Sequence, residues 1–403
     1  MPMRRLIEFL GLKAGLAAVL AMVILVGMGN RMAERFLPIY ILALGAGPVA
    51  IGFLKGLDNF LSALYSLAGG YCSDRFGAKR SLLVFNLMAI FGFVIVMAIP
   101  VWPAVIVGSL FFLSWGAISL PATMDMIFKL LPAAKRTMGV SMHSMVARIP
   151  MALGPVVGGL LIDRWGTVAG IRAGFGMAVL MAVVSILIQQ KLLSPDAPAH
   201  DRAAAGGGAG GGVMTILRLR FPPALKNLLV ADILVRFCEQ IPYAFVVVWC
   251  MKTIESPVSA GQFGILTAVE MATAMAVYVP VAWLADRGSK KPFVVLTFLF
   301  FALFPLALLF CRSFDALLAA FVLRGLKEFG EPTRKALIME LAPDHAKASA
   351  FGRYYLIRDS IVALAAFAGA FLWQIDPKVN LLTAAAFGLL ATAWFAWAGS
   401  GDQ

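Results

Sequence analysis

Asp58 and Glu270 are carboxylates inside long apolar runs; each follows a glycine by six residues (Gly52, Gly264) and precedes an Asp-Arg pair by sixteen (Asp74, Asp286). A charge at membrane depth costs about 3 kcal/mol or more, so each needs a partner, a watery cavity or a task. A carboxyl group desolvated on its own holds a proton, and one beside an arginine releases it. A carboxylate that alternates between those settings carries protons, and Asp58 or Glu270 is expected to do so. Other charges come in helical spacing: Arg31, Glu34 and Arg35; Lys55 with Asp58; Asp232, Arg236 and Glu239; Arg324, Lys327, Glu328, Glu331, Arg334 and Lys335; Arg353, Arg358 and Asp359. Residues three or four apart share a helix face, so Arg31–Glu34 and Arg236–Glu239 can bridge locally. Arg148 stands alone among apolar neighbours. Guanidinium keeps its charge and grips carboxylate or phosphate with two parallel bonds, which makes Arg148 and Arg358 candidates for binding an anionic or zwitterionic ligand. Pairing of these arginines with Asp58, Asp359 or Glu270, and structural bridging throughout, is an equally open reading.

The elements that must hold these charges are membrane helices. The 403 residues are 61% hydrophobic and 14% charged, against about 25% charged in a soluble domain. That much apolar surface requires lipid as part of the solvent. Runs of membrane-crossing length fall at 14–36, 48–71, 81–100, 104–130, 139–162, 168–190, 224–250, 260–284, 292–311, 315–340, 348–373 and 379–398. The net charge of +13 does not point to nucleic acid, because the basic residues lie between these runs. Arg4, Arg5, Lys13, Arg75, Lys79, Arg80, Lys129, Lys135, Arg136, Lys191, Arg202, Arg218, Arg220, Lys226, Arg287, Lys290, Lys291, His345 and Lys347 fall on alternate connections, while the others hold isolated Arg164, Lys252, Arg312 and Lys378. By the positive-inside rule both termini are cytoplasmic. The basic, apolar start resembles a signal peptide, but without a small-residue cleavage site it reads as an uncleaved first helix. Cys72, Cys238, Cys250 and Cys311 lack metal spacing and read as free thiols. The methionines near 124–151 read as packing rather than a soft-metal path. No metal or cofactor is expected.

The chain repeats itself. Besides the Gly–acid–Asp-Arg spacing, Arg31 and Glu34 recur as Arg236 and Glu239, and Pro121/Pro132 recur as Pro332/Pro343, each pair eleven apart. Duplication divides the chain into 1–193 and 223–403, joined by a linker at 194–222 that contains the glycine-rich stretch 206–212 and an amphipathic segment at 213–222. Repeated halves place a cavity on the axis between them.

Gly70-Tyr71-Cys72-Ser73-Asp74-Arg75-Phe76-Gly77-Ala78-Lys79-Arg80 resembles the G-x-L-A-D-R-x-G-R-K loop of the major facilitator superfamily. Leu284-Ala285-Asp286-Arg287-Gly288-Ser289-Lys290-Lys291 is a second copy without its flanking glycines. The resemblance implies an all-α fold of about twelve helices in two pseudo-symmetric six-helix bundles. It also implies gate roles for Gly70, Asp74, Arg75, Gly77, Lys79, Arg80, Asp286, Arg287, Lys290 and Lys291, with the aspartates latching against a facing helix N-terminus. Stopping and anchoring the helix is the plainer role for the same aspartates. A tight turn here needs glycine for positive φ. Gly154-Pro155-Val156-Val157-Gly158-Gly159 resembles the family's antiporter motif, although Pro150 and Ser141 replace two of its glycines. Small residues there also serve close helix packing. Where the family often has an arginine in helix 4, matching Arg324 of helix 10, this chain has Leu113.

The sequence thus leads to an expectation of secondary active transport by alternating access, with protons as coupling ion and a small organic solute as cargo. Export of an amphipathic, drug-like compound leads, and movement of an anionic metabolite or siderophore in either direction is the alternative. No Walker pattern offers ATP, and no H-E-x-x-H or G-x-S-x-G offers an enzyme. A transport-dead receptor or scaffold is a further rival. The chain is expected to work as a monomer in the bacterial inner membrane.

Overall fold

The computed structural model describes residues 14–130, 143–193, 221–285, 289–343 and 347–399. Among them every regular element is helical: α1 (Ala14–Glu34), α2 (Leu37–Ala43), α3 (Pro48–Phe76), α4 (Ala78–Ala98), α5 (Trp102–Phe112), α6 (Trp115–Leu130), α7 (Arg148–Trp165) and α8 (Thr167–Leu192), then α9 (Pro223–Tyr243), α10 (Val246–Val248), α11 (Ala260–Ala285), α12 (Lys291–Phe310), α13 (Phe314–Leu326), α14 (Glu331–Leu341), α15 (Lys347–Ile375) and α16 (Pro377–Ala398). A π-helical turn, Trp249–Thr253, prolongs α10.

Helix occupies each apolar run as far as it is described. Nine helices among the described residues are long and apolar enough to cross a membrane, or ten if α9 and its continuation, bent by 42°, count as one span. Two expected runs fall outside that set. The helix α3 carries Lys55, Asp58 and Arg75, and the run 315–340 is split at residues 327–330 into α13 and α14. Apolar side chains on the helix surfaces, such as Phe310 and Trp397 at 81% exposure, fit a lipid-facing exterior and would be costly in water.

The described residues form two compact units. One runs from α1 to Ala46 and resumes at Leu61 for the rest of the first half, and the other joins Gly47–Phe60 to the second half. The expected linker lies, apart from residues 221–222, outside the described residues. Within the first unit α1 packs on α8 and α7, and α4 on α5 and α8. Within the second, α9 packs on α16 and α15, and α12 on α16 and α13. The same order of neighbours in both units is the duplication made visible.

Glycines allow these approaches. A Cβ at Gly158 of α7 would run into the carbonyl oxygen of Met32, and one at Gly154 would come within 2.7 Å of the Arg31 side chain. Pro155 and Gly159 are buried beside them. In the second unit Gly369 of α15 meets the Ile241 carbonyl in the same way. There Asn380 of α16 bridges by donating to the Ile241 and Gly369 carbonyls at 3.2 and 2.7 Å. Gly77, between α3 and α4, has φ of 93°, the left-handed turn expected for the motif. Gly70 lies inside α3 with open space at its Cβ position.

A backbone oxygen cannot move aside as a side chain can. Gly158→Leu should therefore cost about 3 kcal/mol or more, seen as loss of monodisperse protein and a lower thermal midpoint in detergent. Gly70→Ala should stay within about 0.5 kcal/mol of the parent.

Candidate functional site

The charges of α9 set the frame of the second unit. Asp232, Arg236 and Glu239 lie at i, i+4 and i+7 of one helix, and Asp232 is fully buried. Three side chains from two elements distant in sequence converge on Asp232. Arg334 of α14 pairs with its Oδ1, Arg358 of α15 reaches its Oδ2 at 3.3 Å, and the Tyr354 hydroxyl donates to Oδ2 at 3.0 Å. Arg358 also holds Asp359 at 2.8 Å and stacks over the Tyr355 ring at 4.1 Å.

From Asp232 the pairing continues along the helices. Arg334 donates to Glu331 at 2.6 Å, and Glu331 accepts from Arg236 at 3.3 Å. Arg236 donates to Glu239 at 2.6 Å, and Lys327 donates to the other oxygen of Glu239 at 2.7 Å. Lys327 lies 3.7 Å from Glu270 Oε1, which Arg324 Nε approaches at 3.1 Å. Acids and bases alternate in equal number from Asp359 to Arg324. Burying a charge this deeply is tolerable only with such compensation.

The break between α13 and α14 helps to place these groups. Arg324 and Lys327 stand at the C-terminal end of α13, and Glu331 stands in the first turn of α14. Each sign thus meets the helix dipole end that favours it.

A small cavity opens beside the chain of charges, with Glu239, Tyr243, Phe301, Phe304, Arg324 and Lys327 in its wall. The rings hold the cations over their faces. Arg324 lies 4.9 Å from the Phe304 centroid and 5.8 Å from that of Tyr243, and Lys327 lies 5.5 Å from Phe301. Such contacts stabilise a partly desolvated cation. From α3, Lys55 lies 4.4 Å over the Tyr243 ring and pairs with Asp58 at 2.6 Å, and Asn59 donates to Gln240 at 3.1 Å.

The first unit repeats the local pair, Arg31 with Glu34 at 3.0 Å, but its buried relay is neutral. Trp115 of α6 donates to Asn86 of α4 at 3.0 Å, Asn86 to Gln189 of α8 at 3.1 Å, and Gln189 to the Lys79 carbonyl at 2.6 Å. Lys79 caps the C-terminal end of α8 through the Gln190 and Leu193 carbonyls, at 3.1 and 2.6 Å. Thus Lys79, at the start of α4, ties that helix to the end of α8.

Among the remaining motif residues, Arg75 donates to the Tyr71 hydroxyl at 2.5 Å, and Arg80 is exposed in the first turn of α4. Lys290 pairs with Glu340 at 2.6 Å, and Lys291 begins α12. The Asp74 side chain and the residues Asp286 and Arg287 lie outside what is described. Arg148 opens α7, half-buried.

The structure therefore brings Glu239 to the cavity and Glu270 to its cations, and it draws Arg358, Asp359 and Arg236 into the ion-pair chain. Sequence reasoning did not single out Asp232, Arg324, Lys327 or Arg334. Their three- and four-residue spacings were visible, whereas the meeting of helices from opposite ends of the half was not.

The sequence profile of the Major Facilitator Superfamily matches residues 19–257 and 228–401. The chain belongs to this superfamily. It is a multi-pass membrane transporter by that membership. An uncharacterised MFS-type transporter of Methanocaldococcus jannaschii is 20% identical over 390 residues, 90% of this chain and 89% of the relative. Solved structures share the fold at low identity. A nucleoside transporter matches at a TM-score of 0.79 with 11% identity over 95% of this chain and 99% of its own. A POT family transporter in complex with a thioalcohol-conjugated peptide matches at 0.75 with 12% identity over 94% of each chain. A D-xylose–proton symporter matches at 0.68 with 15% identity over 95% of this chain and 96% of its own.

Asp232→Asn should leave Arg334 and Arg358 without their carboxylate and lower stability by about 3–5 kcal/mol. Asp359→Asn, at a side chain 38% exposed, should cost about 1 kcal/mol or less. Thermal unfolding of the two variants in the same detergent separates these outcomes.

Proposed function

We propose that this superfamily member is a secondary active transporter that exports a small amphipathic organic solute by alternating access, coupled to protons. The observation that carries the reading is Glu270. It is buried at 1% exposure, beside the cavity, and its cations, Arg324 and Lys327, belong to α13 and its C-terminal cap rather than to its own helix α11. A carboxylate whose partners sit on another helix loses them when the helices shift, and it then takes up a proton. Asp58 differs in having Lys55 on its own helix, so Glu270 is the stronger coupling residue.

The outward direction rests on the likeness of Gly154-Pro155 and Gly158-Gly159 to the antiporter motif. In this reading Asp74 and Asp286 act as cytoplasmic latches, residues 1–193 and 223–403 are the moving halves, and 194–222 links them. The distribution of basic residues supports placing both termini in the cytoplasm of a bacterial cell, with the protein in the inner membrane. The chain acts as a monomer, and its partners are lipid, protons and the solute. A second reading, transport of an anionic metabolite, is favoured by the two cations in the cavity wall.

Proteoliposomes with an imposed pH gradient test the coupling. Purified wild-type protein should move solute with the gradient, Glu270→Gln should reduce gradient-driven flux by at least about ten-fold, in keeping with loss of a charge-dependent step, and Asp58→Asn should reduce it less. Full flux in both variants would remove proton coupling through these acids, and no flux in any protein would favour a scaffold.

A further inference from the structure

Asp58 and Glu270, the matched acids of the two repeats, each hold a cation, and both cations lie over one ring. Lys55 pairs with Asp58 at 2.6 Å and lies 4.4 Å from the centroid of Tyr243. Arg324 pairs with Glu270 at 3.1 Å and lies 5.8 Å from the same centroid. The helices α3, α9, α13 and α11 thus meet in the order Asp58, Lys55, Tyr243, Arg324, Glu270, all inside the second unit.

The packing of α3 fixes the seat of Lys55. A Cβ at Gly56 would collide with the Phe367 ring, and one at Gly52 would come within 3.0 Å of the Ala366 carbonyl oxygen, so α3 lies close against α15. Asn59 donates to Gln240 at 3.1 Å and ties α3 to α9 one turn before Tyr243. Asp58, Glu270 and Arg324 are all buried, so salt and solvent screen them little.

Two cations this close repel unless something holds both. Each is held by its carboxylate, and the ring attracts each through its negative face. When Asp58 takes a proton from water, Lys55 keeps its charge and loses its counter-charge. That charge stands near Arg324 and favours the ionised form of Glu270. Proton uptake at Glu270 acts on Asp58 through Arg324 in the same way. At an effective dielectric of about 20, a unit charge about 10 Å away moves a titration by roughly one pH unit.

Other charges face the same groups. Lys327 lies 3.7 Å from Glu270, and Glu239 accepts from Lys327 at 2.7 Å and from Arg236 at 2.6 Å. Glu328 and Cys250 are within electrostatic reach of Lys327 and Arg324 respectively. None of these five belongs to α3, and all remain when Asp58 is replaced.

We propose that Tyr243 is the positioning residue that couples the two acids: by seating Lys55 and Arg324 over one ring, it makes Asp58 and Glu270 take up one proton between them rather than two. Its part in transport rests on the proton-coupled reading and deepens it, whereas the link between the acids needs no solute.

Infrared titration of the full chain in lipid tests that link. The C=O stretch of protonated carboxyl groups is followed against pH, and the part lost in Glu270→Gln is the Glu270 step. In Asp58→Asn this step should move to lower pH by at least about half a pH unit, as a unit charge at this range requires. In a Tyr243→Leu background the same replacement should move it much less. A Tyr243→Phe background keeps the ring and should retain the full shift. Lys55→Gln together with Asp58→Asn removes the uncompensated charge and should restore the wild-type step. Tyr243→Met replaces Tyr243→Leu should that protein fail to fold, and the Lys55→Gln arm needs no change at Tyr243.

Absence of a Glu270 step, the same step in wild type and Asp58→Asn, or an undiminished shift without the ring would overturn the proposal. A ring-dependent shift in a protein that carries no gradient-driven flux keeps Tyr243 as the link and removes proton-coupled transport. Gradient-driven flux without such a shift removes the link alone.

Discussion

Charge burial governs the second unit. Asp232, Glu270, Arg324, Lys327, Arg334 and Arg358 are all nearly removed from solvent, and none could be held there alone. Each is held because a residue of opposite sign reaches it, in most cases from another helix. The consequence is mechanical as well as electrostatic. The helices α9, α11, α13, α14 and α15 are joined by bonds that break only if another charge, a proton or a ligand takes the vacated place. The cavity lies where that exchange is possible, at the Glu239–Lys327–Glu270 end of the chain of charges.

The two halves have solved one packing problem with different chemistry. Both begin with an Arg–Glu pair on their first helix, and both bring a glycine of the fifth helix of the half onto the backbone of its first, at Gly158 on Met32 and Gly369 on Ile241. Beyond that the interiors diverge. The first unit ties its helices with the amides of Asn86 and Gln189 and the indole of Trp115, groups that keep their state at any ordinary pH. The second unit uses ionisable groups and carries the cavity. Leu113 in place of an arginine matching Arg324 is part of the same divergence, because it leaves that position of the first half without a cation.

Much of this architecture is legible in the sequence because hydrophobic length and local spacing are one-dimensional signals. The apolar runs mark the helices, the Gly77 turn follows from its motif, and the i,i+3 pairs Arg31–Glu34 and Arg236–Glu239 follow from helix geometry. The breaks were not legible in the same way. The run 315–340 reads as one span, yet it parts at Lys327–Gly330, where α13 and α14 present opposite charges at their facing ends. Nor could Asp232 be recognised as a hub, since Tyr354 and Arg358 lie 122 and 126 residues away and only the packed helices bring them together. Glu270 stood out as a lone acid in an apolar run, but its partners on α13 were not deducible, and they are what place it beside the cavity.

The central claim is that buried charges here work as compensated pairs rather than as independent groups. A double-mutant cycle on Glu270 and Arg324 tests it most directly, with thermal unfolding of wild type, Glu270→Gln, Arg324→Gln and the double variant in one detergent. The account predicts that each single variant is destabilised and that the double variant recovers part of the loss, with an interaction energy of about 1–3 kcal/mol. Additive losses in the double variant would contradict it.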